Sequence, residues 1–125
     1  MTTIYDRIGG SEAVLQMLDE FYARVLGDPD LRPFFSTTPL DRLKVMQAEF
    51  FAAALDGPVV HSDRDLSAIH KGMGITQSDV TKFVNHLIAT LKERESIETG
   101  DAMDIVFRIA TFTDQVIDDP GGEDG

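Results

Sequence analysis

The sequence predicts an all-α chain, and three observations carry that reading. Four long stretches repeat their apolar residues at three- and four-residue spacing, which gathers those side chains on one face of a helix. No segment alternates apolar and polar residues over the length of a strand. Ser, Thr, Gly and Pro stand at the ends of the periodic stretches, where helices start and stop.

Ile4–Ile8 forms a short helical turn in this reading, ended by the backbone freedom of Gly9-Gly10. Ser11 is then expected to cap a helix running to Leu26, with Val14, Met17, Leu18, Phe21, Tyr22 and Val25 as its apolar stripe and Gly27-Asp28-Pro29 as its stop. Tyr22 shares a face with Leu18 and Leu26, so its hydroxyl enters apolar surroundings and needs a partner. A backbone carbonyl or a bound ligand could supply one. Leu31, Phe34 and Phe35 lie in a turn between Pro29 and Pro39, where large aromatics plug a core or flank a cofactor.

The next helix is expected to open with Thr38 as cap and Pro39 in its first turn, and to run to about Leu55. Leu40, Leu43, Met46, Phe50 and Ala54 make its buried stripe, and Gln47 interrupts that stripe. An unpaired buried amide costs roughly 1–3 kcal/mol, so the fold or a ligand must satisfy it.

Asp56-Gly57-Pro58 breaks this helix, and a polar loop leads to a short helix in which Leu66, Ile69, His70 and Met73 share one side before Gly74. A neutral imidazole on an apolar face either bonds a backbone carbonyl or binds a metal. His86 stands beside an apolar stripe and His61 in the loop, so neither competes strongly with His70 as a ligand. Thr76 caps the helix of Val80, Phe83, Val84, Leu87, Ile88 and Leu91, the cleanest amphipathic pattern in the chain. Thr99 or Asp101 opens the last helix, whose expected buried stripe is Met103, Val106, Phe107, Ala110, Thr113 and Val116. Residues 1–119 read as one domain, and 120–125 as a disordered acidic tail.

The charge balance narrows the function. With 22 acidic against 11 basic residues the net charge is −11, which argues against nucleic acid or an anionic membrane as partner. No apolar run is long enough to span a bilayer and the first residues lack a signal peptide's pattern, so a cytoplasmic protein is expected. Aspartate outnumbers glutamate by 15 to 7 and only four lysines occur, a pattern found in proteins of high-salt cytoplasms and also in ordinary acidic proteins. The chain has no phosphate-cradling glycine loop, no Gly-x-Ser-x-Gly, no His-Glu-x-x-His and no Ca²⁺ loop, which removes the commoner hydrolase and nucleotide readings.

From Ile4 to about Asp118 the chain resembles a truncated haemoglobin of the first group. The residues that carry the resemblance are Ile4-Tyr5-Asp6-Arg7-Ile8-Gly9-Gly10, Phe21-Tyr22, Pro33-Phe34-Phe35, Gln47 with Phe50-Phe51, Gly57-Pro58, and the run from Ala68 to Thr76 that contains His70. Each is weak alone; their order and spacing together are specific. The resemblance implies a two-over-two helical sandwich around haem b. With no cysteine present, thioether attachment through a Cys-x-x-Cys-His motif is closed and the haem is expected to be held non-covalently.

Carried over residue by residue, His70 resembles the proximal iron ligand, and Tyr22 and Gln47 the distal pair that donates hydrogen bonds to iron-bound O₂. Phe35 resembles the phenylalanine packed on the porphyrin, while Leu43, Met46, Phe50, Leu66 and Ile75 fall at positions expected to line the cofactor. Thr38 and Arg42 match positions near the haem propionates, where a planar guanidinium suits a carboxylate, although a cap and a surface charge would explain them equally. Phe51 matches a phenylalanine that gates an apolar ligand tunnel in some relatives, and equally fits a core. Met46 stands where some cyanobacterial relatives carry an iron-binding histidine, so six-coordination by that route is closed. Asp56 replaces the first glycine of the family's Gly-Gly-Pro, which aspartate tolerates because it visits left-handed backbone readily.

The resemblance implies reversible binding of O₂, and of NO or CO, with the oligomeric state open. The alternative is an NO dioxygenase that converts NO and O₂ to nitrate, served by the same Tyr22 and Gln47, with an external reductase restoring the ferric iron. A haem-free helical interaction module is a third reading, and it requires structural partners for both residues.

Overall fold

The computed structural model describes residues 2–36, 38–57, 74–113 and 117. Among them are five α-helices and one 3-10 helix: α1 (Ile4–Ile8), α2 (Gly10–Leu26), the 3-10 turn (Arg32–Phe35), α3 (Leu40–Ala54), α4 (Gln77–Lys92) and α5 (Thr99–Thr113). No strand occurs among the described residues, so the all-α expectation holds. Helix α2 packs on α3, and α4 on α5; α2 also packs on α4, which joins the two pairs into the two-over-two sandwich. No helix among the described residues is long and apolar enough to cross a membrane.

Helix α2 is the axis of the core. Val14, Met17, Leu18, Phe21, Tyr22 and Val25 are all buried, as the sequence pattern requires. Each fully buried Leu or Phe in such a stripe contributes about 1.5–3 kcal/mol. Phe21 sits at the centre, with its ring centroid 4.9 Å from Phe83 of α4, 5.1 Å from Tyr22 and 6.3 Å from Phe51 of α3.

Several local expectations need correction. Ser11 does not cap α2, which begins two residues earlier than that cap implies, at Gly10, with Gly9 as its N-cap and no side-chain hydrogen bond. Gly9 has φ 118°, which lets its N–H close α1 onto the Asp6 carbonyl at 3.2 Å while the chain turns directly into α2. Thr38 does not cap α3 either: Pro39 is the N-cap, again without a side-chain bond, and Thr38 instead donates its backbone N–H to Phe35 at 3.4 Å. Leu40 is 41% exposed, so the buried stripe of α3 begins at Leu43.

The last helix is rotated relative to the stripe expected for it. Ile105, Ile109 and Thr113 are buried, while Met103 and Phe107 are 69% and 72% exposed. Apolar residues surround more than half of α5, so period alone does not fix which face turns inward. The Thr76 cap, by contrast, forms as expected and completes a capping box: Asp79 N–H donates to Thr76 Oγ1 at 3.1 Å and Thr76 N–H to Asp79 Oδ2 at 3.0 Å.

Ion pairs link the helices across the surface: Arg7–Asp101, Lys44–Asp19, Lys82–Asp30, Arg94–Glu20 and Arg108–Asp56. Exposed pairs of this kind contribute about 0–1 kcal/mol each. The excess of 22 acids over 11 bases leaves a self-repelling surface. Molar KCl shortens the screening length to roughly 3 Å and should relieve that repulsion. If the surface is a high-salt adaptation, the melting temperature should rise from dilute buffer to molar KCl; a flat or falling value would remove that explanation.

Candidate functional site

Among the described residues three buried side-chain atoms lack a hydrogen-bond partner: Tyr22 Oη of α2, Gln47 Oε1 of α3 and Arg94 Nε, and Arg94 pairs through its other nitrogens with Glu20 and Gln16. The Tyr22 hydroxyl is buried, the residue being 1% exposed, and it has no hydrogen-bond partner among the described residues. Gln47 Oε1 is buried and unpartnered in the same way. Each such atom costs about 1–3 kcal/mol unless something outside the described residues bonds it. Burial also pushes the Tyr22 phenol far above its ordinary pKa by desolvation, so the group remains a neutral O–H donor across the physiological range. The two helices that carry these atoms pack on each other.

Aromatic and apolar residues build the walls. Phe35, delivered by the 3-10 turn, meets the Tyr22 ring edge-on with centroids 5.6 Å apart at 81°. Leu43 is buried; Met46 and Phe50 are half-buried. Phe50 packs on Phe112 of α5 at 5.4 Å and on Phe51 at 5.8 Å, and Phe51 is fully buried. Ile75, just ahead of α4, is buried. Thr38 is half-buried and Arg42 exposed on the flank of the 3-10 turn and α3. His70 and Leu66, with His61, lie outside the described residues.

His86 is engaged elsewhere. Its Nε2 lies 2.9 Å from Asp28 Oδ2, and this contact, with the Asp30 backbone N–H, holds the Asp28 carboxyl below the usual carboxylate range. Phe83 packs on Phe21 in the core, as the sequence pattern expects, and Phe112, which that pattern leaves unmarked, packs on Phe50 against the same core. A Phe within a core period carries no mark that separates pocket from core.

A phenol oxygen and an amide oxygen, buried on two packed helices without partners among the described residues, fit a cofactor that presents a small polar ligand to them. They fit poorly with a closed helical core, in which both would be satisfied from within. The class of protein follows from family membership. The family model of the bacterial-like globins matches residues 3–116, and the chain belongs to that family. It falls with the group 1 truncated haemoglobins: it is 45% identical over 89 residues to one from Mycolicibacterium paratuberculosis, covering 71% of this chain and 65% of that one. It is 33% identical over 91 residues to one from Tetrahymena pyriformis, covering 73% of this chain and 75% of that one. The solved structure of truncated haemoglobin from Tetrahymena pyriformis in its Fe(III) form superposes with a TM-score of 0.84 at 26% identity, over 94% of this chain and 99% of that one. The chain is therefore a globin that binds haem non-covalently and takes a gaseous ligand there.

Proposed function

We propose that the protein binds O₂ reversibly, and NO and CO at the same place, in the cytoplasm, with His70 as the ligand that holds the haem iron. The observation that carries this reading is the pair of buried polar atoms, Tyr22 Oη and Gln47 Oε1, without partners among the described residues and on two helices in contact. The haem, when bound, supplies reversible coordination of the gas. Tyr22 would donate a hydrogen bond from its hydroxyl to the gas ligand, and the Gln47 side chain would turn its amide N–H toward the same ligand, since either end of an amide can be presented. Phe35, Leu43, Met46, Phe50, Leu66 and Ile75 would exclude water from the cofactor, while Thr38 and Arg42 would pair with its carboxylates. Phe51 stands behind Phe50 as a wall of any path toward Phe21.

Gln47→Leu tests the amide's share. It keeps the bulk and removes the donor, so O₂ release should quicken by about tenfold, the equivalent of one charge-assisted hydrogen bond at the lower end of its range. CO, less polar when bound, should be released at nearly its original rate. Stopped-flow displacement measures both, and an O₂ release rate unchanged by the substitution would remove Gln47 from the site.

A further inference from the structure

The end of α3 is clasped more tightly than its beginning, and the clasp has an unusual member. Asp56 has φ 65°, the only non-glycine residue with positive φ among the described residues. A residue with a Cβ holds that conformation at a cost, though aspartate does so more readily than most. The Asp56 carboxylate accepts from Arg108 Nη1 of α5 at 2.8 Å, and the same Nη1 donates to the Ala54 carbonyl at 2.9 Å, one of the last of α3. Arg108 Nε in turn reaches Asp104 Oδ1 at 3.3 Å, which steadies the guanidinium on its own helix. From the other side Tyr5 N–H donates to the Leu55 carbonyl at 3.2 Å. Gly57 lies against the Tyr5 ring so closely that a Cβ there would come within 2.5 Å of it.

The beginning of α3 is held less among the described residues: its N-cap, Pro39, makes no side-chain bond, and one ion pair, Lys44–Asp19, ties it to α2. Gln47, Phe51 and Ala54 follow at i, i+4 and i+7, so they share one face of the helix. A rotation or slide at Ala54 is therefore transmitted to Gln47, whose Oε1 no neighbour among the described residues holds in place. We infer that Arg108 is a positioning residue for gas binding: by bridging Ala54 and Asp56 it fixes the pose of α3 that aims Gln47 into the pocket. The inference rests on Gln47 meeting the gas ligand, as proposed above.

The test is a double-mutant cycle on the haem-loaded full chain, read as O₂ and CO release. Arg108→Gln should speed O₂ release by about three- to tenfold, less than removal of the Gln47 amide, because the donor is misaimed rather than lost. CO release should barely move. On a Gln47→Leu background the effect of Arg108→Gln on O₂ should vanish. Arg108→Lys keeps the charge but cannot reproduce the guanidinium's fixed fork, so it should fall between the two. Should Arg108→Gln fail to fold, Asp56→Asn takes its place, since asparagine accepts the left-handed backbone while removing the charge that Arg108 grips. An Arg108→Gln effect that persists at full size on the Gln47→Leu background, or that alters O₂ and CO alike, means general loosening and overturns the inference. No effect of Arg108→Gln where Gln47→Leu speeds O₂ release overturns it and leaves the proposed function standing. No effect of Gln47→Leu itself removes Gln47 from the site and overturns the inference with it.

Discussion

His70→Ala is expected to leave the purified protein with only a small fraction of its haem. In the proposed site the remaining contacts to the cofactor would be apolar packing and carboxylate pairing at its edge, and neither replaces a bond to iron. His86 cannot substitute, because it faces Asp28 at 2.9 Å, on the turn that follows α2. Free imidazole added to the variant should restore part of the haem content by filling the vacated place. Haem occupancy after purification, from the ratio of haem to protein absorbance, is the measurement. Full occupancy with an unaltered ferrous spectrum would move the ligand to another residue.

Tyr22→Phe should speed O₂ release by about ten- to a hundredfold, from the loss of one partly charge-assisted hydrogen bond of roughly 1.5–3 kcal/mol. The ring volume is preserved, and its edge contacts with Phe21 and Phe35 should survive. The hydroxyl leaves no stranded partner among the described residues, so the folded state should be as stable as before or more so. That combination separates a ligand-binding hydroxyl from a structural one, whose removal would lower the melting temperature. CO release should change far less than O₂ release. Combined with Gln47→Leu the effects should be non-additive, because two donors that share one ligand couple. Flash photolysis and stopped-flow displacement give both rates; equal changes for the two gases would point to altered access rather than a lost hydrogen bond.

The helices and their order were legible in the sequence because burial imposes a period, and α2 and α4 turn the expected faces inward. Tyr22 and Gln47 were legible as anomalies, polar groups where the period demands apolar ones, and neither buried oxygen has a partner among the described residues. What the sequence hid were interactions without local signature. Arg108 meets Asp56 across 52 residues, and no pattern within α5 announces it. The phase of α5 was misjudged because Met103 and Phe107 are as apolar as Ile105 and Ile109, so only packing decides which pair is covered. Ser11 and Thr38 have the chemistry of caps, yet backbone geometry at Gly9 and Pro39 sets where those helices begin. Asp56 was legible as a substitution in a glycine turn; its left-handed φ bears that out, while the partner that grips its carboxylate lay beyond the reach of local pattern.

The most direct measurement is the absorption spectrum of the purified protein in its oxidised form, after dithionite, after exposure to O₂ and after removal of the gas. The expected result is a strong Soret band in every state, a reduced form with its sixth position open, and a shift with O₂ that reverses when the gas is withdrawn. A protein that carries no Soret band when haem is supplied, or a reduced form that ignores O₂, would contradict reversible gas binding at a haem held by His70.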